Sequence, residues 1–158
     1  MARRASERSR QTARPRHFVA GSVESIPFPD ATFDFALCIN CLEFVEHREA
    51  AFDEIARVLR PDGSAILGML NRHSIWEWTR RLRRPFSRRA YYDGRFFSVR
   101  DVRVCCEQAG LNVAEVRTAV HFPPIPPGPL RSVYDAVDRW IWRRCSTSGG
   151  VILCRADK

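Results

Sequence analysis

Apolar positions along this chain recur with two different periods. FDFALCI, residues 33 to 39, is an apolar run broken only by Asp34 near its start, the pattern of a buried strand. From Glu46 the period lengthens. Phe52, Ile55, Ala56, Val58 and Leu59 recur at three and four residues while Arg48, Glu49, Asp53, Arg57 and Arg60 fall mostly opposite, which predicts an amphipathic helix. Pro61 stops that helix, Pro61, Asp62 and Gly63 form a tight turn, and SAILGML, residues 64 to 70, reads as the next buried strand. Strand, helix and strand of these lengths make a parallel crossover unit, right-handed by the general rule.

Around this unit the pattern is patchier. His17 to Ala20 is a short apolar stretch ending at Gly21, and Pro27, Pro29 and Asp30 mark a loop. A helix from about Ser74 ends near Arg84, because Pro85 disfavours the α conformation in the residue before it. Ser98 is an N-cap for a helix carrying Val99, Val102, Val104 and Cys106, with Gly110 as its left-handed stop. A strand runs from Leu111 to about Val120. FPPIPPGP, residues 122 to 129, is a stiff polyproline-like connection. Leu130, Val133, Tyr134, Val137 and Ile141 then define one face of a helix, and GGVILCRA, residues 149 to 156, is a final strand.

Composition narrows the class. With 158 residues, 45% apolar and 28% charged, the chain reads as one folded domain over residues 17–158, preceded by a disordered basic arm at 1–16 without periodicity. It contains no run of about 18 apolar residues and no apolar leader segment, so a transmembrane span and a secretory signal are excluded and a cytoplasmic location is expected. The six cysteines are too sparse for a disulfide scaffold and read as reduced thiols. Cys38 and Cys41 form one CxxC, and with His47 they supply at most three of the four ligands a zinc site needs, so no metal is expected.

The net charge of +8 points to nucleic acid until it is divided along the chain: +5 over residues 1–16, −5 over 17–61, +5 over 62–97 and +3 over 98–158. Lys158 is the only lysine among the 26 basic residues, so a coding bias toward arginine explains the excess as well as phosphate contact does. Nucleic acid is therefore not the expected partner.

Residues 20 to 67 carry a family likeness. The loop-to-strand phrase IPFPDATFDFAL, the strand-to-helix phrase LEFVEH and the helix-turn-strand phrase EIARVLRPDGSAIL, in this order, resemble the central part of a class I S-adenosylmethionine-dependent methyltransferase. More narrowly, they resemble the subgroup that includes ubiquinone and menaquinone biosynthesis methyltransferases. FFSVRDVRVCCEQAGLNVAEV, residues 96 to 116, is similar to the helix and strand before that family's C-terminal hairpin. The resemblance implies an α/β fold with a Rossmann-like methyltransferase sheet, S-adenosyl-L-methionine as cofactor, and a small-molecule or lipid-like methyl acceptor.

The same resemblance implies a first strand ending in a glycine-rich turn around the methionine part of the cofactor, where the backbone must approach the ligand closely. No two of the eight glycines are separated by a single residue, so that turn is absent from the chain as written. The acidic residue expected to hold the ribose hydroxyls is absent too. By alignment His17 to Ala20 matches the family's third strand. The sheet is then expected to be incomplete, lacking its first two strands, with unpaired amides along residues 33–39 and cofactor binding impaired. A truncated gene product or a mis-called start is the expected cause.

Site residues follow from the same alignment. Ser22 and Val23 match the loop that holds adenine, and Cys38, Ile39 and Asn40 match the strand end that lines the cofactor mainly through backbone atoms. Local alternatives stand beside these roles: an ordinary surface loop for Ser22 and Val23, and a turn cap for Asn40. The histidine that often follows the glutamate of the LEFVEH phrase is replaced by Phe44. No catalytic base is assigned, since His73, His121 and Tyr91 each read equally as structural or exposed. The alternative from another class is a non-catalytic remnant or binding module, using the arginines between Arg80 and Arg89 with Trp76, Trp78, Tyr91 and Tyr92 as a nucleic-acid platform.

Overall fold

The computed structural model describes residues 18–74, 77, 94–119 and 149–158. Among these, strands β1 (Phe33–Ile39), β2 (Leu59–Leu70), β3 (Asn112–Ala119) and β4 (Val151–Asp157) form one sheet in the order β1-β2-β4-β3. Helix α1 (Arg48–Val58) connects β1 to β2, and α2 (Val99–Gln108) precedes β3. β1 and β2 are parallel, with Leu37 opposite Ile66 and Ile39 opposite Gly68. β4 runs antiparallel to both neighbours and lies between β2 and β3, so Leu67, Cys154 and Val116 stand side by side.

The predicted strand-helix-strand unit is present, with shifted boundaries. Helix α1 starts at Arg48 and ends at Val58, because Leu59 is already extended (φ −74°, ψ 140°) and paired with Phe33. The turn at Pro61 to Gly63 therefore interrupts β2 instead of preceding it, and the register with β1 slips between Leu59 and Ser64. Asp62 takes a positive φ of 65°, and a Cβ on Gly63 would lie 2.9 Å from the Arg60 carbonyl oxygen and 3.2 Å from that of Asp34. Only glycine fits so tight a fold of backbone.

Downstream, Ser98 caps α2 as expected. Its hydroxyl accepts from the Asp101 amide at 3.1 Å, and the Asp101 carboxylate accepts from the Ser98 amide at 2.8 Å. Gly110, at φ 75°, ends the helix.

Two expectations are corrected. Residues 18–20 are not a strand: Phe18 is 92% exposed, Val19 is 53% exposed, and no described strand pairs with them. β1, read as buried, is covered on one face only among the described residues. Ala36 and Cys38 pack against the core beneath the helices, whereas Phe35, Leu37 and Ile39, on the other face, are exposed. Among the described residues β1 also pairs along a single edge. The core itself joins Phe52 and Ile55 of α1, Val102 and Cys106 of α2, and Leu67, Met69, Ile152 and Cys154 of the sheet. The basic arm, the helix predicted over 74–84 apart from Ser74 and Glu77, the polyproline-like segment and the helix after it lie outside the described residues.

Candidate ligand site at the carboxyl ends of the parallel strands

In a parallel crossover the first strand ends where its helix begins, so the end of β1, the end of β2 and the start of α1 share one edge of the sheet. Doubly wound sheets bind their ligands at such an edge. Cys38, Ile39 and Asn40 lie there by position in β1. The loop carrying Ser22 and Val23 is tied to the same end, since the Glu24 carboxylate accepts from the His47 amide, at the N-cap of α1, at 2.5 Å.

A denser network pins the rest of that loop to the later turns of α1. Glu54 accepts from the Ile26 amide at 2.7 Å, and Arg57 donates to the carbonyls of Phe28 and Ile26 at 2.9 and 3.0 Å and to the Asp30 carboxylate at 2.7 Å. Arg57 is also bound twice to Glu54, at 2.6 and 2.8 Å. These bonds hold the Glu54 carboxyl down at about 2, through Arg57 first.

Each predicted residue has a definite place. The Ser22 hydroxyl accepts from the Glu24 amide at 3.2 Å, and its carbonyl accepts from the Ser25 amide at 3.2 Å, a local turn that leaves the hydroxyl able to donate. Val23 packs partly against the core, and its amide has no acceptor among the described residues. The Cys38 thiol faces the core and is pushed up to about 12, by burial first and then by Cys41 beside it, so its thiolate is suppressed. Only its backbone is left to line a ligand. Ile39 lies across β2, where a Cβ on Gly68 would meet its Cδ1 at 2.6 Å. Asn40 is exposed and left-handed at φ 50°, a region asparagine tolerates better than most residues, and its amide donates to the Gly68 carbonyl at 2.8 Å. Its side chain makes no hydrogen bond among the described residues.

The pattern reading passed over Glu43 and Arg48. Glu43 is 2% exposed, and one carboxylate oxygen, Oε1, accepts from the Leu70 amide at the end of β2 at 2.5 Å. A ring of contacts continues from there. The Leu70 carbonyl accepts from the Phe97 amide at 2.9 Å, and the Arg48 guanidinium lies 4.0 Å over the Phe97 ring. Arg48 also donates to the Arg95 carbonyl, and the Arg95 amide donates back to the Glu43 carbonyl at 2.9 Å. Glu43 Oε2 and Arg48 Nε are buried in this ring without a hydrogen-bond partner among the described residues. Burial pushes the Glu43 carboxyl up, against the opposing pull of the Leu70 amide and of Arg48. The available signal was a glutamate set between Leu42 and Phe44 directly after a strand, before any helical period begins.

Among the described residues no group of three or more histidines, cysteines or carboxylates is placed to hold a metal ion, and none of the described helices is long and apolar enough to cross a membrane. The arginine cluster from Arg80 to Arg89, with Trp76, Trp78, Tyr91 and Tyr92, and the residues His121 and Tyr91 lie outside the described residues.

Comparison with known proteins finds sequences and folds similar to this chain. A family model described as a methyltransferase domain matches residues 1–67. An uncharacterized protein of Mycobacterium bovis is 31% identical over 107 residues, which are 67% of this chain and 38% of that protein. A fatty-acid O-methyltransferase of Mycolicibacterium smegmatis is 36% identical over 66 residues, 41% of this chain and 24% of its own length. The chain thus spans well under two thirds of these curated relatives. In structure it is similar to an S-adenosylmethionine-dependent methyltransferase from Thermotoga maritima, with a TM-score of 0.65, 23% identity, and coverage of 87% of this chain and 62% of that one.

Proposed function

We propose, from the premise that this chain belongs to the S-adenosylmethionine-dependent methyltransferase family, that it contributes the adenine side of a cofactor site and, with the family's glycine-rich front in place, methylates a small-molecule or lipid-like acceptor. The observation that carries this reading is the convergence of the Ser22–Val23 loop and the Cys38–Asn40 strand end on the edge where β1 ends and α1 begins. The Val23 amide, without an acceptor among the described residues, suits a ring nitrogen of adenine, and the Ser22 hydroxyl can accept a hydrogen bond from the exocyclic amine where the family has a carboxylate. Asn40 offers a further polar group to the ligand.

The fit to the cofactor is one-sided. The described residues supply groups for the base, but neither a glycine turn for the methionine part nor a carboxylate for the ribose. The chain as written therefore binds S-adenosylmethionine weakly. Such enzymes need little acid-base machinery in any case, because the sulfonium is an activated donor and positioning dominates the barrier. The name of the fatty-acid O-methyltransferase relative supports an acyl or similarly small acceptor, and the proposed reaction takes place in the cytoplasm.

A calorimetric titration of the 158-residue chain with S-adenosylmethionine tests the fit. Binding weaker than about 100 μM is expected, worth only about 5 kcal/mol. Micromolar binding would overturn the one-sided fit, and no response at millimolar cofactor would overturn the cofactor reading.

A further inference from the structure

We propose that Glu43 is a positioning residue of the candidate cofactor site: through the ring of contacts it closes, it holds the left-handed turn at Asn40 in place without touching the ligand. The role assigned to that turn rests on the cofactor reading above; the ring does not. Asn40 leaves β1 at φ 50°, a conformation that asparagine tolerates but that still has to be selected over the extended backbone of the strand before it. Its own amide is fixed to Gly68 of β2 at 2.8 Å. Three residues on, Glu43 makes the second attachment to the same strand, through Leu70 at 2.5 Å. The turn between these two points, exposed at Asn40 and Cys41 and buried at Leu42, is thereby held by two bonds to one rigid element.

The rest of the ring keeps Glu43 from swinging away. Its carbonyl takes the Arg95 amide, the Arg95 carbonyl takes Arg48, and Arg48 rests on Phe97, whose amide returns to the Leu70 carbonyl. The segment Gly94–Ser98 is thus bound both to the loop after β1, through Arg95 and Glu43, and to the end of β2, through Phe97 and Leu70. A carboxylate is not chemically required for the attachment, because the amide oxygen of glutamine can accept the Leu70 N–H equally well. Rescue by glutamine therefore separates positioning from charge.

Backbone hydrogen exchange in the full chain tests the proposal. Glu43→Ala is expected to speed exchange by about tenfold at Leu70 and Arg95, which bond to Glu43 directly, and also at Asn40, which does not. Glu43→Gln is expected to return all three to within about threefold of wild type. Arg48→Met keeps an apolar stem over Phe97, removes the donor to Arg95, and is expected to act in the same direction should the alanine variant fail to fold. Unchanged exchange at Asn40 in a folded Glu43→Ala or Arg48→Met chain would overturn the proposal, as would failure of glutamine to restore it. Amide shifts of Cys38 to Asn40 on adding millimolar S-adenosylmethionine are read in parallel. Their absence in wild type overturns the cofactor reading and the role assigned to the turn, while the exchange rates still decide the ring.

Discussion

Near each end of helix α1 a glutamate and an arginine come together, Glu54 with Arg57 in its last turns and Glu43 of the preceding loop near Arg48 at its start, and the two have opposite electrostatic fates. Toward its C-terminus, Glu54 and Arg57 are partly exposed, and each is hydrogen-bonded to the other and to backbone or carboxylate groups of residues 26–30. The Glu54 carboxyl is driven down to about 2 and the Arg57 guanidinium is driven up, chiefly by their mutual hydrogen bonds. At the first turn, Arg48 stands near Glu43, but each keeps a buried atom unpartnered, and burial outweighs attraction in both. The Glu43 carboxyl is pushed up and the Arg48 guanidinium down. The same residue types give opposite shifts because a charge is stabilised only where hydrogen-bonding partners make up for the water it loses.

The largest test removes the surface on which the buried end rests. Phe97 is fully buried, lies under Arg48 and packs 6.3 Å from Phe52. Phe97→Ala is expected to cost about 3–5 kcal/mol in urea unfolding. A cost below about 1 kcal/mol would show that the ring is peripheral to the core.

Glu54→Gln comes next. At neutral pH it is expected to lose about 1–2 kcal/mol, because a charge-assisted pair becomes a neutral hydrogen bond. The sign with pH follows from the depressed carboxyl. Its stabilisation is present above the ordinary carboxylate range and is lost as pH falls toward about 2. Unfolding midpoints measured down that range should therefore decline more steeply in wild type than in the glutamine variant, and parallel curves would remove Glu54 from the account.

Glu43→Gln is the smallest change and has the opposite sense. A raised carboxyl contributes stability that is present at low pH and lost as pH rises through its titration, so the neutral amide is expected to cost less than about 0.5 kcal/mol at pH 7, or to stabilise slightly. A loss equal to that of Glu54→Gln would erase the contrast between the two ends.

Much of the fold was legible in local pattern. The apolar run at 33–39, the helical spacing after Glu46, the Ser98 cap and the Gly110 stop each depend on interactions within a few residues, and each marks an element found there, although among the described residues β1 is buried on one face and not on both. The boundary between α1 and β2 was less legible, because pairing of Leu59 with Phe33 draws the chain into the strand before Pro61 is reached. The apolar stretch ending at Ala20 was misread for a related reason: a strand needs a partner, and none is described beside it. Of the site, Ser22, Val23, Cys38, Ile39 and Asn40 were located through phrases resembling a known family. Glu43 and Arg48 were not, because their roles depend on Leu70, Arg95 and Phe97.

By itself, then, the sequence determined the helix and strand periods, the caps, the tight glycine turn and the phrases that mark the family, all set by backbone preference and short-range spacing. Only the tertiary structure decided which face of β1 is covered, where α1 gives way to β2, and which of two glutamate–arginine pairings is fully bonded. Those outcomes depend on partners brought together from distant parts of the chain, and on how much water remains around them when they meet.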